Sequence, residues 1–431
     1  MPYMRRPPIS YVVLNSLKGH LLTNIAHQGY RSVRYCDFKF SAFVSYSRRK
    51  TEQSAAIQKT EVSAIPNECL CKYKDGDYDF CYHLPASYSI YGKRFNCNYL
   101  PVLDSLGLLG LLKFRYVPDT GNEKEDYISM TKNPVFVTAF SSNHYAEGTR
   151  LLYEIRSLWP KQFIIVYDLG LASEQTEIIQ KLCDVQYRVF NFSAYPNYFT
   201  LLSQFRWKPV IIAETLKEFG SIWYMDTSVV FKKDNLSHVY DLVRCRQNVQ
   251  NSARSVIPSS ELRDEREQRT EHESGWDINQ WRENVKECQK SAYLLHGYTG
   301  HGIFWATDPV VYEYFPTNFV EIKKPKAKMY EAGFVFVAKT REVITNILRW
   351  YVACALEQQC MAGTYGLHCS STDSKRFSVF AKCHRFDQSV VNLLSANAYY
   401  YDRHYYVSEI VDFFNIVRGS TYHDLKPLMK C

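Results

Sequence analysis

No uninterrupted apolar run in the 431 residues is long enough, at about 18 positions, to cross a bilayer. The opening stretch, Met1 to Leu22, also makes a poor secretory signal, because polar residues interrupt its apolar part. Either the chain lacks its natural beginning or it is not secreted. Lysine and arginine (52) outnumber aspartate and glutamate (44), giving a net charge of +8. Yet no segment forms a basic stripe interleaved with aromatics, which argues against a nucleic-acid partner. A mild positive balance instead suits a small anionic ligand. A glycine-rich turn after the first predicted strand is missing too, since the sequence there reads Ser141-Ser142-Asn143-His144-Tyr145. That disfavours dehydrogenases and methyltransferases that grip their cofactor through such a turn.

What the chain does have is cysteine, 13 in all, and tyrosine, 34, with aromatics at 15%. The cysteines gather as Cys69, Cys71, Cys81 and Cys97, and again as Cys354, Cys360, Cys369 and Cys383. Their spacings match no zinc finger or ribbon, so a disulfide-forming compartment is the better reading. The sequons at Asn191 and Asn235 agree with that compartment. The location expected is the secretory pathway, in the Golgi lumen or outside the cell, with membrane association left open.

Hydrophobic content of 46% and charged content of 22% describe a globular protein with one large domain and an appendage, or two domains. Residues 1–65 read as a flexible lead-in, and 66–132 as a cysteine-containing, stem-like module too poor in apolar residues to hold a core alone. The main domain spans 133–415, and a tail follows at 416–431. Within the domain, strands at 134–141, 163–167, 185–192 and 221–225 alternate with helical patterns, and Ser173 caps the second helix. That alternation predicts an α/β, doubly wound, mostly parallel sheet. Residues 251–290 mix both charge signs and read as a solvent-facing insertion. Further strands and helices follow, among them a strand over Met329–Val337 and a long helix from a Thr340 cap to Leu356.

The stretch from Phe205 to Phe231 organises the rest. Lys208-Pro209 opens a helix that Gly220 ends, a short apolar strand follows, and Asp226 stands directly after it. A carboxylate at the carboxyl end of a central strand sits where open α/β sheets bind ligands. Asp226 lies on the fourth strand, which also rules out phosphatases carrying Asp-x-Asp-x-Thr on the first. Arg206 and Lys208 flank that helix within reach of phosphate oxygens.

The segments NPVFVTAFSSNHY, RWKPVIIAE, WYMDTS, EAGFV and CHRFDQS, in that order, resemble the nucleotide-diphospho-sugar transferase (GT-A type) fold. They are more closely similar to a glycosyltransferase-like family abundant in nematodes. The likeness covers about residues 67–410. It implies transfer of a hexosyl or related sugar from a nucleoside-diphosphate donor to a glycan or protein hydroxyl, assisted by Mn2+ or Mg2+. A non-catalytic sugar- or nucleotide-binding protein on the same fold is the alternative. Asp226 would hold the metal, with Ser228 in place of the usual second acid and His404 as a late ligand. Asp387 or Glu331 would take the acceptor proton. Ser141, Ser142 and Asn143 would meet base and ribose, Gly333 and Gln388 would bind substrate, and His301 would contact acceptor or metal. Because Ser228 adds no charge, Asp-x-Ser leaves three readings open: metal on one carboxylate, a metal-independent enzyme, or a lapsed one.

Overall fold

The structure, a computed structural model, describes residues 65–110, 126–245, 291–370, 375–408, 410–419 and 422–429. All of them fall in the second of the chain's two compact units, Ser63–Cys431. The lead-in expected over 1–65 lies outside them up to residue 64, as do the insertion expected at 251–290 and residues 111–125 of the stem-like module.

Six strands make the central sheet: β1 (Val135–Phe140), β2 (Ile164–Asp168), β3 (Val185–Val189), β4 (Ser221–Met225), β5 (Tyr293–Leu294) and β6 (Phe334–Ala338). Their order is β5-β6-β4-β1-β2-β3. The β1–β2, β2–β3 and β1–β4 pairs are parallel, and β6 runs antiparallel to both β4 and β5. Every residue of β1, β2, β4 and β6 is buried, which explains why they read as apolar runs without alternation. Helices α1 (Tyr145–Leu158), α2 (Ser173–Gln180) and α3 (Trp207–Phe219) follow the first three strands. The chain builds outward from β1 to β3 and then crosses back to lay β4 on the other side of β1. Between β1 and β4 the winding therefore reverses, and the carboxyl ends of those two strands frame a crevice.

Three local expectations change. Ala172, not Ser173, is the cap of α2, and its N–H donates to Gln175 Oε1 at 2.9 Å. The strand expected over Met329–Val337 is two strands. Lys328–Tyr330 pairs with Tyr298–Gly302, whereas β6 joins the central sheet. Glu331-Ala332-Gly333 is the bend between them. After Thr340, residues Val343–Leu348 wind as a π-helix before a regular helix, α4 (Arg349–Leu356), continues. A last helix, α5, runs over Asp387–Ala398.

The cysteine-rich segment forms two hairpins, Leu70–Tyr73 with Gly76–Asp79 and His83–Leu84 with Ser87–Tyr91. Disulfides Cys69–Cys81 and Cys71–Cys97 hold it. Its buried rings Phe80, Tyr82 and Phe95 pack on Trp350 of α4, at centroid distances of 6.4, 5.6 and 5.9 Å. Gly92 passes so close to the main chain of Tyr314 that a Cβ there would lie 2.0 Å from its carbonyl oxygen. Docking, not a separate core, keeps this segment folded. Two more disulfides, Cys354–Cys360 and Cys369–Cys383, lie near α4 and before α5. Among the described residues no helix is long and apolar enough to cross a membrane.

Beyond residue 412 the chain is docked throughout its described part. Phe414–Ile416 pairs antiparallel with Val229–Phe231. The Gly419 N–H donates to Glu147 at 2.5 Å, and Leu425 is fully buried.

Candidate functional site

Asp226 leaves β4 with its N–H donating to Gly333 O at 2.6 Å, which fixes it opposite the bend before β6. Gly333 is required there: a Cβ at that position would stand 2.6 Å from Asp226 Oδ2. Tyr224, two positions earlier and so on the same face of the strand, donates its hydroxyl to Asp226 Oδ1 at 2.8 Å. Lys208 rises from the first turn of α3 with 2% exposure. Its Nζ lies 3.1 Å from Asp226 Oδ2 and 2.7 Å from Asp387 Oδ2. Burial works against the charge on Lys208, but the two carboxylates outweigh it and raise its pKa.

Asp387 opens α5, where a negative side chain suits the helix dipole. Phe386 before it holds φ 46° and ψ −116°, a sparsely populated conformation for a bulky residue, of the kind that gathers at functional sites. Burial raises the Asp387 pKa, with Lys208 pulling against it. The rings of Tyr293 and Tyr351 are buried in range of the same carboxylate, and burial first, then its charge, pushes both phenols up.

Glu331 stands in the bend and is half-buried. Its N–H donates to Gly297 O at 2.8 Å. Burial pushes its carboxyl up to about 7; the charge of Arg418 opposes this and that of Asp226 adds to it. Arg385, half-buried just before α5, has its pKa lowered by burial and then by Arg418, so both guanidinium groups serve the same neighbourhood. Asn392 steadies the bend from α5. Its amide donates to Tyr330 O at 2.7 Å and accepts from Tyr330 N at 2.8 Å, in the manner of a neighbouring strand.

Ser141, Ser142 and Asn143 lie at the carboxyl end of β1, beside Asp226 across the crevice. Ser141 donates to Asn143 Oδ1 at 2.5 Å, and Ser142 and Asn143 are exposed. Asp168 ends the next strand but is committed to its own loop, accepting the N–H groups of Gly170 and Leu171 at 2.6 Å each. His301 is buried against Trp305, 4.6 Å between centroids. Burial lowers its pKa to about 4, with Arg385 and Arg376 acting the same way, so it is a neutral ring at the cluster's rim. Gln388 points its amide at the Met329 sulfur, 3.1 Å away.

Three expected residues are placed otherwise. Arg206 reaches no open surface: it is fully buried. Its guanidinium donates to the carbonyls of Ala355, Glu357 and Gln358 at 2.7, 2.9 and 2.6 Å, which ties the end of α4 to the short helix that begins at Gln358. Lys208 faces carboxylates and not the crevice. His404 belongs to a stretch whose next residue, Tyr405, accepts from Ser291 N. Ser291 precedes β5, which is in register through β6 with the start of β4. His404 thus sits at the opposite end of the sheet from Asp226, about 16 Å away by strand rise.

The expected divalent metal does not fit the residues present. The Lys208 ammonium fills the space between the Asp226 and Asp387 carboxylates, and Ser228, half-buried in the turn after β4, brings no charge. The one three-ligand group found among the described residues is Cys69, Asp79 and His83, and Cys69 is tied up in a disulfide with Cys81. A cavity of about 550 Å³ opens elsewhere, lined by Lys93, Arg94, Tyr314 and Glu357 among others, and includes none of the carboxylate cluster.

A family model described as "Protein of unknown function (DUF1647)" matches residues 68–213, about a third of the chain. No curated protein matches it. Solved structures similar to it include the galactosyltransferase LgtC in complex with donor and acceptor sugar analogues, at 12% identity and a TM-score of 0.30. That alignment covers 66% of this chain and 87% of the other. An active-site mutant of LgtC aligns at 12% identity and a TM-score of 0.24, over 47% of this chain and 56% of its own length. Likenesses this slight carry no argument about activity.

Proposed function

We propose that the chain is a glycosyltransferase, moving a sugar from a nucleoside-diphosphate donor to a hydroxyl of a glycan or protein. One observation carries the reading. Asp226 and Glu331, both open in part, stand at the crevice where the winding of the sheet reverses, and the charge of Arg418 reaches both Glu331 and Arg385. Ser142 and Asn143 offer exposed polar groups for the nucleoside on the neighbouring strand end, and the buried Ser141 holds Asn143. The two guanidinium groups suit the diphosphate.

In the reaction, the acceptor oxygen forms the new bond to the anomeric carbon. The bond from that carbon to the diphosphate breaks, and its electron pair leaves on the phosphate oxygen. The acceptor proton passes to Glu331, whose carboxyl near 7 matches the task of a general base at neutral pH better than that of Asp387, which is buried against Lys208. Asp387 then serves to position Lys208 and Asp226. The disulfides favour an oxidising compartment, the Golgi lumen or the cell exterior.

Calorimetric titration with UDP and GDP tests the reading. Saturable binding is expected, weakened about tenfold in Arg385→Gln. Absence of binding to either nucleotide, with or without Mn2+, would refute it. Binding without turnover across a wide acceptor panel would favour instead a non-catalytic nucleotide-sugar receptor, which the burial of Asp387 against Lys208 would suit.

A further inference from the structure

We infer that Lys208 is the resident cation of this site, holding Asp226 and Asp387 together where a bridging divalent ion would sit, so that the crevice binds its nucleoside diphosphate without added metal. The inference rests on the functional reading above for the identity of the ligand, though not for the role of the lysine.

Geometry comes first. The ammonium is within hydrogen-bond reach of one oxygen of each carboxylate, at 3.1 and 2.7 Å. A Mg2+ or Mn2+ ion bridging the same two oxygens would need about 2.1 Å to each, and it cannot enter while the nitrogen is there. Lys208 is poorly placed to swing aside. It is on the first turn of α3, 2% exposed, with the rings of Phe205 and Tyr224 at 5.2 and 5.5 Å from Nζ. Asp226 Oδ1 is engaged as well, by the Tyr224 hydroxyl.

Charge comes second. Metal-dependent sites present acids in excess of fixed cations, and the ion makes up the difference. Here the carboxylates of Asp226, Asp387 and Glu331 are matched by Lys208, Arg385 and Arg418. With every group ionised the cluster is neutral, so no surplus negative charge draws a divalent ion. The charge on an incoming diphosphate then meets guanidinium groups, whose forked donors match phosphate oxygens in pairs. Lys208 acts through the carboxylates and is a positioning residue.

The experiment has four parts. First, nucleoside diphosphate affinity of the full chain is measured in EDTA and in 1 mM Mn2+; agreement within about twofold is expected, a difference under about 0.5 kcal/mol. Second, Mn2+ alone is titrated and followed by electron paramagnetic resonance, and no saturable site is expected at the crevice. Third, Lys208→Ala, which leaves two acids facing each other, is expected to gain one Mn2+ site and a melting temperature that rises with Mn2+. Should that variant fail to fold, the first two measurements stand on the unaltered protein. Arg418→Gln adds a fourth reading, with nucleotide affinity falling about tenfold equally with and without Mn2+. Saturable Mn2+ binding by the unaltered protein that Asp226→Ala abolishes, or nucleotide binding lost in EDTA, would overturn the inference. No nucleotide binding in any condition would instead remove the donor reading, and Mn2+ alone would still decide the role of Lys208.

Discussion

Replacing Gly333 by alanine tests how tightly the bend and the carboxylate are fitted together. A Cβ there would lie 2.6 Å from Asp226 Oδ2 and 3.2 Å from its Cγ. Ordinary contact needs about 3.4 Å or more, so the carboxylate must retreat by roughly 0.8 Å. Gly333 is not among the glycines with positive φ, so the main chain accepts alanine and the whole penalty falls on Asp226. Retreat pulls Oδ2 away from Lys208 and Oδ1 away from the Tyr224 hydroxyl. Overpacking of this kind costs about 1–3 kcal/mol, and a weakened charge-assisted hydrogen bond adds to it. We expect Gly333→Ala to lose about 2 kcal/mol in urea unfolding. In an Asp226→Ala background the obstructing oxygen is gone, and the same change should be neutral or slightly stabilising, because alanine restricts the unfolded chain. The double-mutant cycle should therefore return a coupling of about 2 kcal/mol. Equal costs in both backgrounds, or no cost in the unaltered protein, would refute the fit described here.

Other outcomes follow from the same geometry. Glu331 has a folded pKa of about 7, raised by burial above the ordinary glutamate value of about 4.5. Its protonated form favours the fold, so this contribution is full below about pH 4.5 and is lost as pH rises through 7, at a cost of about 3 kcal/mol. Glu331→Gln should thus gain stability over the unaltered protein at pH 8 and not at pH 4, read from paired urea melts. Arg206→Met should cost about 3 kcal/mol by removing the buried charge-assisted hydrogen bonds that tie the end of α4 to the helix after it. It should leave nucleotide affinity of the folded protein unchanged; a selective loss of affinity would contradict its structural role. Removing the Cys369–Cys383 bridge, whose partners are 14 positions apart, should cost about 3 kcal/mol in thermal melts. It should also weaken anion binding, since that loop leads directly into Arg385 and Asp387.

The unit built on Asp226 was legible because its signals are local. Proline in the first turn, Gly220 in a left-handed conformation with φ 77° at the stop, and the unbroken apolar run at 222–225 each speak for a few neighbours only. The parallel winding was legible for the same reason, repeated three times. The division of Met329–Val337 was not, because the two halves differ only in which distant strand they join. Burial of Arg206 was also hidden, since its partners arrive about 150 positions later. His404 looked available as a ligand because sequence reports its chemistry and not which end of the sheet it reaches. Lys208 misled most: a basic residue next to a helix start suggests phosphate, and only three-dimensional proximity shows it between two acids.

The pairing of Phe414–Ile416 with Val229–Phe231 governs when the crevice changes its electrical character. A ribosome-bound nascent chain not yet extended to that segment would own all three carboxylates but only Lys208 and Arg385 to answer them. Such an intermediate would turn phosphates away. Capture of the anion would begin once Arg418 docked, which makes ligand affinity a reporter of that step in biosynthesis.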